Sequence, residues 1–197
     1  MKRGLILTLG VLALVAGPIE AQRTETLVSS RHRNGGFGGP VMKVGGVLGD
    51  PALFLGGRGG WVVGRTFVLG GGGYGLVNDN IPLRVSYQGR DPVLEMGYGG
   101  LEMEYLHTSY RLAHFSVQTL LGGGGVRYRD RQRFETLAED NFFVVEPGAH
   151  ANLNITEYLR LSGGFNYRWT WGAELPGLRD QDLSGPLGVF TIRFGRY

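Results

Sequence analysis

The sequence predicts an all-β fold, an eight-stranded antiparallel up-and-down transmembrane β-barrel. Three observations predict it. Apolar and polar residues alternate at period two over several long segments, 36 glycines sit among aromatic and branched residues in a chain of 197, and tight and long connections alternate between the candidate strands. The glycines do not recur every third residue and prolines number only 8, which excludes collagen. A hydrophobic content of 42% excludes simple disorder. The net charge of +3, from 20 basic and 17 acidic residues, does not imply a nucleic-acid partner. The absence of Cys excludes a disulfide framework, Cys-ligated zinc and thiol catalysis.

Residues 1–21 read as a secretory signal peptide. Lys2 and Arg3 precede an apolar stretch from Leu5 to Ala16, Gly17 and Pro18 break it, and Ala21 offers the small residue for cleavage. That stretch has no polar face at helical spacing and is shorter than the ~20 residues of a spanning helix. Residues 22–35 form a short polar N-terminal segment, and 36–197 form the barrel. The longest later stretch without Asp, Glu, Lys or Arg is Leu112 to Val126, only 15 residues, so no helical span is expected.

The strands are expected at 36–49, 52–64, 66–78, 93–106, 111–128, 142–155, 158–171 and 186–197. Glycine-marked breaks bound the first five. Pro40 and Pro147 count against their strands, because each removes a ladder donor. The last three strands carry the clearest period. Phe143, Val145, Pro147, Ala149, Ala151, Leu153 and Ile155 alternate with Val144, Glu146, Gly148, His150, Asn152 and Asn154. Leu159 through Trp171 alternates with Arg160, Ser162, Asn166, Arg168 and Thr170, and Phe190, Ile192 and Phe194 alternate with Thr191 and Arg193. An even strand number lets the sheet close and removes exposed edges.

The connections sort by rim. Those at Arg65, at His107 to Tyr110 and at Thr156-Glu157 are tight, whereas Asp79 to Pro92, Arg129 to Asn141 and Gly172 to Gly185 are longer and polar; Gly49-Asp50-Pro51 is a short exception. Short turns on one rim and polar loops on the other are what bacterial outer-membrane barrels show, with both termini on the short-turn, periplasmic side. Face polarity agrees. Lys43, Arg58, Glu102, Glu104, Glu146, His150, Arg160, Asn166, Arg168 and Arg193 are expected to form a polar network in a side-chain-filled lumen, with Trp169, Trp171, Tyr167 and Phe194 outside. Glu102 and Glu104 are expected to neutralise Lys43, Arg58, Arg111 or Arg160. The glycine runs, including Gly70 to Gly73 and Gly122 to Gly125, would mark bends and near-empty interior positions. They lack the helix and Lys-Ser/Thr of a phosphate loop.

Phe142-Phe143-Val144-Val145-Glu146-Pro147-Gly148, continuing through Asn152-Leu153-Asn154-Ile155-Thr156 to Leu159-Arg160-Leu161 and Tyr167-Arg168, resembles the penultimate hairpin of small outer-membrane β-barrel proteins, many of unassigned function. The stretch Thr191 to Tyr197 is similar to their closing strand. The resemblance implies an assembly signal read by the barrel-assembly machinery, on Phe190, Ile192, Phe194 and Tyr197, although Tyr197 is out of register with the other three. It implies no activity.

One constellation suggests chemistry. His114-Phe115-Ser116 places His and Ser on one strand face and resembles the His-x-Ser of lipid A deacylases, in which an imidazole activates a hydroxyl for acyl-ester hydrolysis. The following Val117-Gln118-Thr119 departs from that pattern. His32, His107, His114 and His150 form no close metal-ligand pair, so neither metal nor cofactor is implied. Arg127, Arg129, Arg131 and Arg133 could contact lipopolysaccharide phosphates, but the neighbouring Asp130, Glu135, Glu139 and Asp140 favour a solvated mixed-charge loop. The expectation is therefore a non-enzymatic integral outer-membrane barrel of a Gram-negative-type bacterium, structural or surface-interacting, with outer-membrane lipid and lipopolysaccharide around it. Its alternatives are a hydrolase using His114 and Ser116, and a soluble periplasmic ligand-binding barrel.

Overall fold

A computed structural model describes residues 34–78, 81, 92–130, 133 and 135–197. The expected signal peptide, most of the segment 22–35 and most of the 79–92 connection lie outside the described residues. Eight strands, β1 (Gly35–Val47), β2 (Asp50–Val63), β3 (Phe67–Leu76), β4 (Pro92–Leu106), β5 (Ala113–Asp130), β6 (Thr136–Asn154), β7 (Leu159–Trp171) and β8 (Gly185–Arg196), pair in chain order and close β8 onto β1. Every pairing is antiparallel. No sheet edge is left open over the barrel wall, which is how an up-and-down barrel avoids edge-to-edge aggregation.

Turn chemistry sets the two ends. At one end Gly64 and Arg65, with φ of 59° and 61°, make a two-residue hairpin turn in which Thr66 N–H donates to Val63 O at 3.1 Å. Positive φ at both central residues matches the twist of the flanking strands. The β6–β7 turn at this end is tied by the Thr156 hydroxyl, which accepts from the Tyr158 and Leu159 N–H groups at 3.1 and 3.0 Å. This end, with both strand termini Gly35 and Arg196, is the turn end. The opposite, loop end carries the Leu48-Gly49 turn, at φ of 56° and 83°, and the longer connections.

Both prolines are accommodated inside strands, at the cost of local ladder gaps. Pro40 pairs with Gly57 on β2, but the β1–β8 ladder skips Gly39 and Pro40. Pro147 pairs with Thr119 on β5, and the β6–β7 ladder skips Glu146 and Pro147. Each missing donor falls on one neighbour only, so the remaining ladder keeps the strand in place.

Two expectations are corrected at the loop end. The connection expected at 129–141 is mostly strand: β5 continues to Asp130 and β6 begins at Thr136. Residues 136–142 pair with β5 but not with β7, whose pairing starts at Phe143–Trp171. The hairpin therefore projects past the barrel wall, braced by Glu95 of β4, which accepts from Arg127 Nε at 2.6 Å and from Arg129. The segment 172–184 is not a free polar loop either. It turns inward, forms a one-turn helix α1 (Asp180–Leu183), and buries Ala173, Leu175, Leu178 and Leu183 against Val47, Leu94, Met96, Val126 and Leu187. Leu48 N–H donates to Asp182 O at 2.8 Å and Tyr128 Oη donates to Pro176 O at 3.0 Å, which fastens this lid to opposite walls.

The lumen is accordingly polar only in part. Its loop-end half is an apolar core that adds Phe54, Leu120, Phe142 and Val144, and its middle and turn end are charged. Outside, the polarity is inverted. Met42, Leu55, Leu69, Leu101, Val117, Leu121 and Leu153 are exposed, as are Trp61, Phe67, Tyr105, Phe115, Tyr158 and Phe194 around the turn end and Phe143, Tyr167, Trp169 and Trp171 toward the loop end. Trp169 lies ten residues after Leu159, the first residue of β7 on the same face. At ~3.3 Å per residue and a strand tilt of ~40° this is a rise of about 25 Å, which matches the ~25 Å apolar band of a membrane barrel.

Glycine permits the closest strand approach. A Cβ on Gly122 would collide with the Gly99 carbonyl of β4, and one on Gly100 with the Leu121 carbonyl of β5, whereas Gly73 faces open space. We expect Gly122→Ala to destabilise the barrel by about 1–3 kcal/mol, as overpacking does, and Gly73→Ala to leave it unchanged, compared by urea unfolding of the refolded protein in detergent.

Candidate functional site

All ten residues assigned from sequence to the lumen network lie inside the barrel, each 5% exposed or less. They do not act alike. Glu104, on β4, accepts three bonds from the guanidinium fork of Arg193, on β8, with Nη1 at 2.9 and 3.0 Å and Nη2 at 3.1 Å. β4 and β8 are four strands apart in a ring of eight, so this pair crosses the full lumen. Glu104 also accepts from Arg58 Nη2 of β2 at 3.2 Å, and Arg58 Nε faces Glu102 Oε2 at 2.6 Å. Lys43 of β1 bonds Glu146 of β6 at 2.5 Å, with its Nζ 3.3 Å from the Tyr74 ring centroid. Charge-assisted forks of this kind hold geometry as well as energy.

A second set of bonds fixes the carboxylates. Tyr98 Oη donates to Glu146 Oε2 at 2.7 Å, Asn166 Nδ2 donates to Glu146 Oε1 at 2.5 Å, and Tyr74 Oη donates to Glu102. His150 Nε2 meets Asn166 Oδ1 at 2.7 Å. Backbone vacancies make the room: a Cβ on Gly148 would strike Asn166, and one on Gly164 would strike His150. Alternation along each strand explains why these side chains meet, since every second residue of β4, β5, β6 and β7 enters the lumen.

The set of network residues assigned from sequence omitted Gln118, which accepts from Arg58, and Tyr74 and Tyr98, as well as Asn152 and Ser162, although the last two were read on the polar faces of their strands. Parity could have found Gln118, which shares a face with His114 and Ser116. Tyr74 and Tyr98 sit between glycines, where no alternation is visible. Arg111 is exposed in the β4–β5 turn and neutralises neither Glu102 nor Glu104. Among the described residues Arg160 also has no carboxylate partner, and it donates instead to Asn154 Oδ1 at 2.6 Å and Ser109 O at 3.4 Å. Arg168 stacks over the Phe54 ring at 4.7 Å and donates to Leu183 O at 2.7 Å, tying the lid to the wall.

His114 and Ser116 both face the lumen, but they form no catalytic pair. His114 Nδ1 meets the Arg111 carbonyl at 3.3 Å, its Nε2 has no partner, and Ser116 Oγ accepts from Asn152 Nδ2 at 2.9 Å. A nucleophile needs a bonded base and access to substrate. Ser116 is 3% exposed inside the wall, away from the apolar exterior where an acyl chain would lie. Among the described residues no three His, Asp or Glu side chains converge as metal ligands would.

The expected assembly residues divide by face. Phe190, Ile192 and Phe194 point outward, whereas the Tyr197 ring turns in, stacked on Phe37 at 5.6 Å and under the Arg160 guanidinium at 3.7 Å.

No protein-family model and no curated protein sequence matches the chain. Solved structures do. The N-terminal β-barrel domain of Pseudomonas aeruginosa OprF is similar at a TM-score of 0.51 with 11% identity, covering 83% of this chain and 98% of that one. Neisserial surface protein A is similar at 0.53 with 8% identity, covering 83% and 96%. The fold is that of the small outer-membrane β-barrels. At such identities the likeness shows the barrel fold alone.

Removing Glu104 would strand the buried Arg193 guanidinium and leave Arg58 with Glu102 alone. We expect Glu104→Gln to lower unfolding free energy by about 3–5 kcal/mol. The paired replacement Glu104→Leu with Arg193→Met should lose less than either single change, a non-additivity read in a double-mutant cycle by urea titration.

Proposed function

We propose that the protein is an integral outer-membrane β-barrel whose role is structural or surface-interacting, and that it is neither an enzyme nor a diffusion pore. The observation that carries this reading is the inverted polarity of the wall: charged side chains are buried inside, and an apolar belt with aromatic residues near both rims lies outside. Lipid is the environment that rewards that arrangement, whereas a soluble ligand-binding barrel would place its apolar face within. The lumen is crossed by Glu104–Arg193 and closed at the loop end by Leu175, Leu178 and Leu183, which supports a sealed interior.

Export through an N-terminal signal peptide cleaved after Ala21, and insertion by the barrel-assembly machinery reading the Phe190, Ile192 and Phe194 face, complete the proposal. The turn end faces the periplasm. The β5–β6 hairpin, with Arg127 and Arg129 on Glu95, then projects from the outer surface at lipopolysaccharide headgroup level.

Fractionation tests this directly. The expressed protein should appear in the outer membrane and migrate faster on gels unboiled than boiled. In planar bilayers it should show no porin-sized conductance, and Ser116→Ala should leave lipid acylation unchanged. Recovery in the soluble periplasm, or a steady open conductance, would overturn the proposal.

A further inference from the structure

The lumen carries more positive charge than it neutralises. Lys43, Arg58 and Arg193 take the three lumen carboxylates, Glu102, Glu104 and Glu146. Among the described residues Arg160 and Arg168 have no carboxylate within 4 Å, and each keeps one terminal nitrogen, Nη1, without a hydrogen-bond partner. Arg168 is enclosed by the lid, where Leu183 O and Gly46 O, at 2.7 and 3.1 Å, face its other nitrogens. Arg160 is different, because it borders open space.

At the turn end a cleft of about 890 Å³ is lined by Arg160 together with Arg65, Arg196, Ser109, Asn154 and Tyr197. Arg160 is 2% exposed, and a buried guanidinium without counter-charge is costly. It is also held still. Asn154 accepts from its Nε while donating its own amide to Ser109 O and Arg111 O at 3.0 and 2.7 Å, and Ser109 Oγ donates to Arg65 O at 2.6 Å. These bonds lock three turns around the cleft. Arg65 and Arg196 are exposed at its rim, and among the described side chains that line it Glu157 alone carries a carboxylate. The Tyr197 ring, one residue beyond β8, covers the Arg160 guanidinium.

We propose that this cleft binds a phosphate-type oxyanion, held between Arg65 and Arg196 at the rim and by Arg160 at its base once the Tyr197 ring swings aside. Three guanidiniums offer planar donor forks that suit the several oxygens of a phosphoryl group better than they suit a single halide. The same chemistry is presented by free phosphate and by the headgroup of an anionic phospholipid. The site depends on the folded barrel and not on its cellular location.

Two probes distinguish the sources, both used with the full folded chain. Inorganic phosphate is titrated by calorimetry into protein in zwitterionic detergent at low ionic strength. Retention of phosphatidylglycerol against phosphatidylcholine is read by native mass spectrometry. Saturable binding of either probe is expected, at least tenfold weaker in Arg160→Gln. Should Arg160→Gln fail to fold, the rim variant Arg65→Gln with Arg196→Gln, which alters only exposed side chains, should show the same loss with an unchanged gel shift. Phosphate-only binding identifies a soluble ligand, and phosphatidylglycerol-only binding a lipid headgroup. Saturation by neither probe, or binding unaffected by removing these arginines, would overturn the site.

Discussion

The Glu104–Arg193 pair is the interaction on which the interior depends. It joins diametrically opposite strands, and through Glu104 it also collects Arg58. Without carboxylates in the lumen, the cations of β1, β2 and β8 would repel across a buried interior, and without the cations the carboxylates would carry an uncompensated buried charge. Pairing of these charges inside leaves the outer wall to apolar side chains. The wall can then face lipid on every strand while its backbone groups are satisfied by neighbouring strands.

That internal bracing also explains why the two halves of the lumen differ. Toward the turn end the interior is filled by charge and hydrogen bonds, and toward the loop end by a small apolar core to which the segment 172–184 contributes four side chains. Arg168 stands at the junction, stacked on Phe54 and bonded to the Leu183 carbonyl. The lid is therefore coupled to the network by a residue belonging to both.

Much of this was legible in the sequence because strand parity is a strict code. Once Arg160, Ser162, Asn166 and Arg168 are set against Leu161, Phe165, Tyr167 and Trp169, the side that each strand turns inward follows. Parity failed where both faces of a strand meet water. Residues 136–141 include Glu139, Asp140 and Asn141, so they read as loop although they pair with β5, with one bulge at Leu137. It failed again at the lid, where Leu175, Leu178 and Leu183 are scattered through a polar stretch; three leucines there were the available signal. The specific pairings were not recoverable, since which carboxylate meets which arginine depends on strands up to four apart. The His114–Ser116 spacing shows the converse: a shared face is not a shared hydrogen bond.

All three tryptophans, Trp61, Trp169 and Trp171, lie on the outer face, the first near the turn end and the others near the loop end. Quenching of their fluorescence by phospholipids brominated along the acyl chain, in vesicles containing the unmodified protein, tests the inverted wall most directly. The account requires strong quenching that is greatest with bromines near the headgroup and weaker with bromines at the bilayer centre. Fluorescence indifferent to brominated lipid would contradict it, because the apolar face would then point inward.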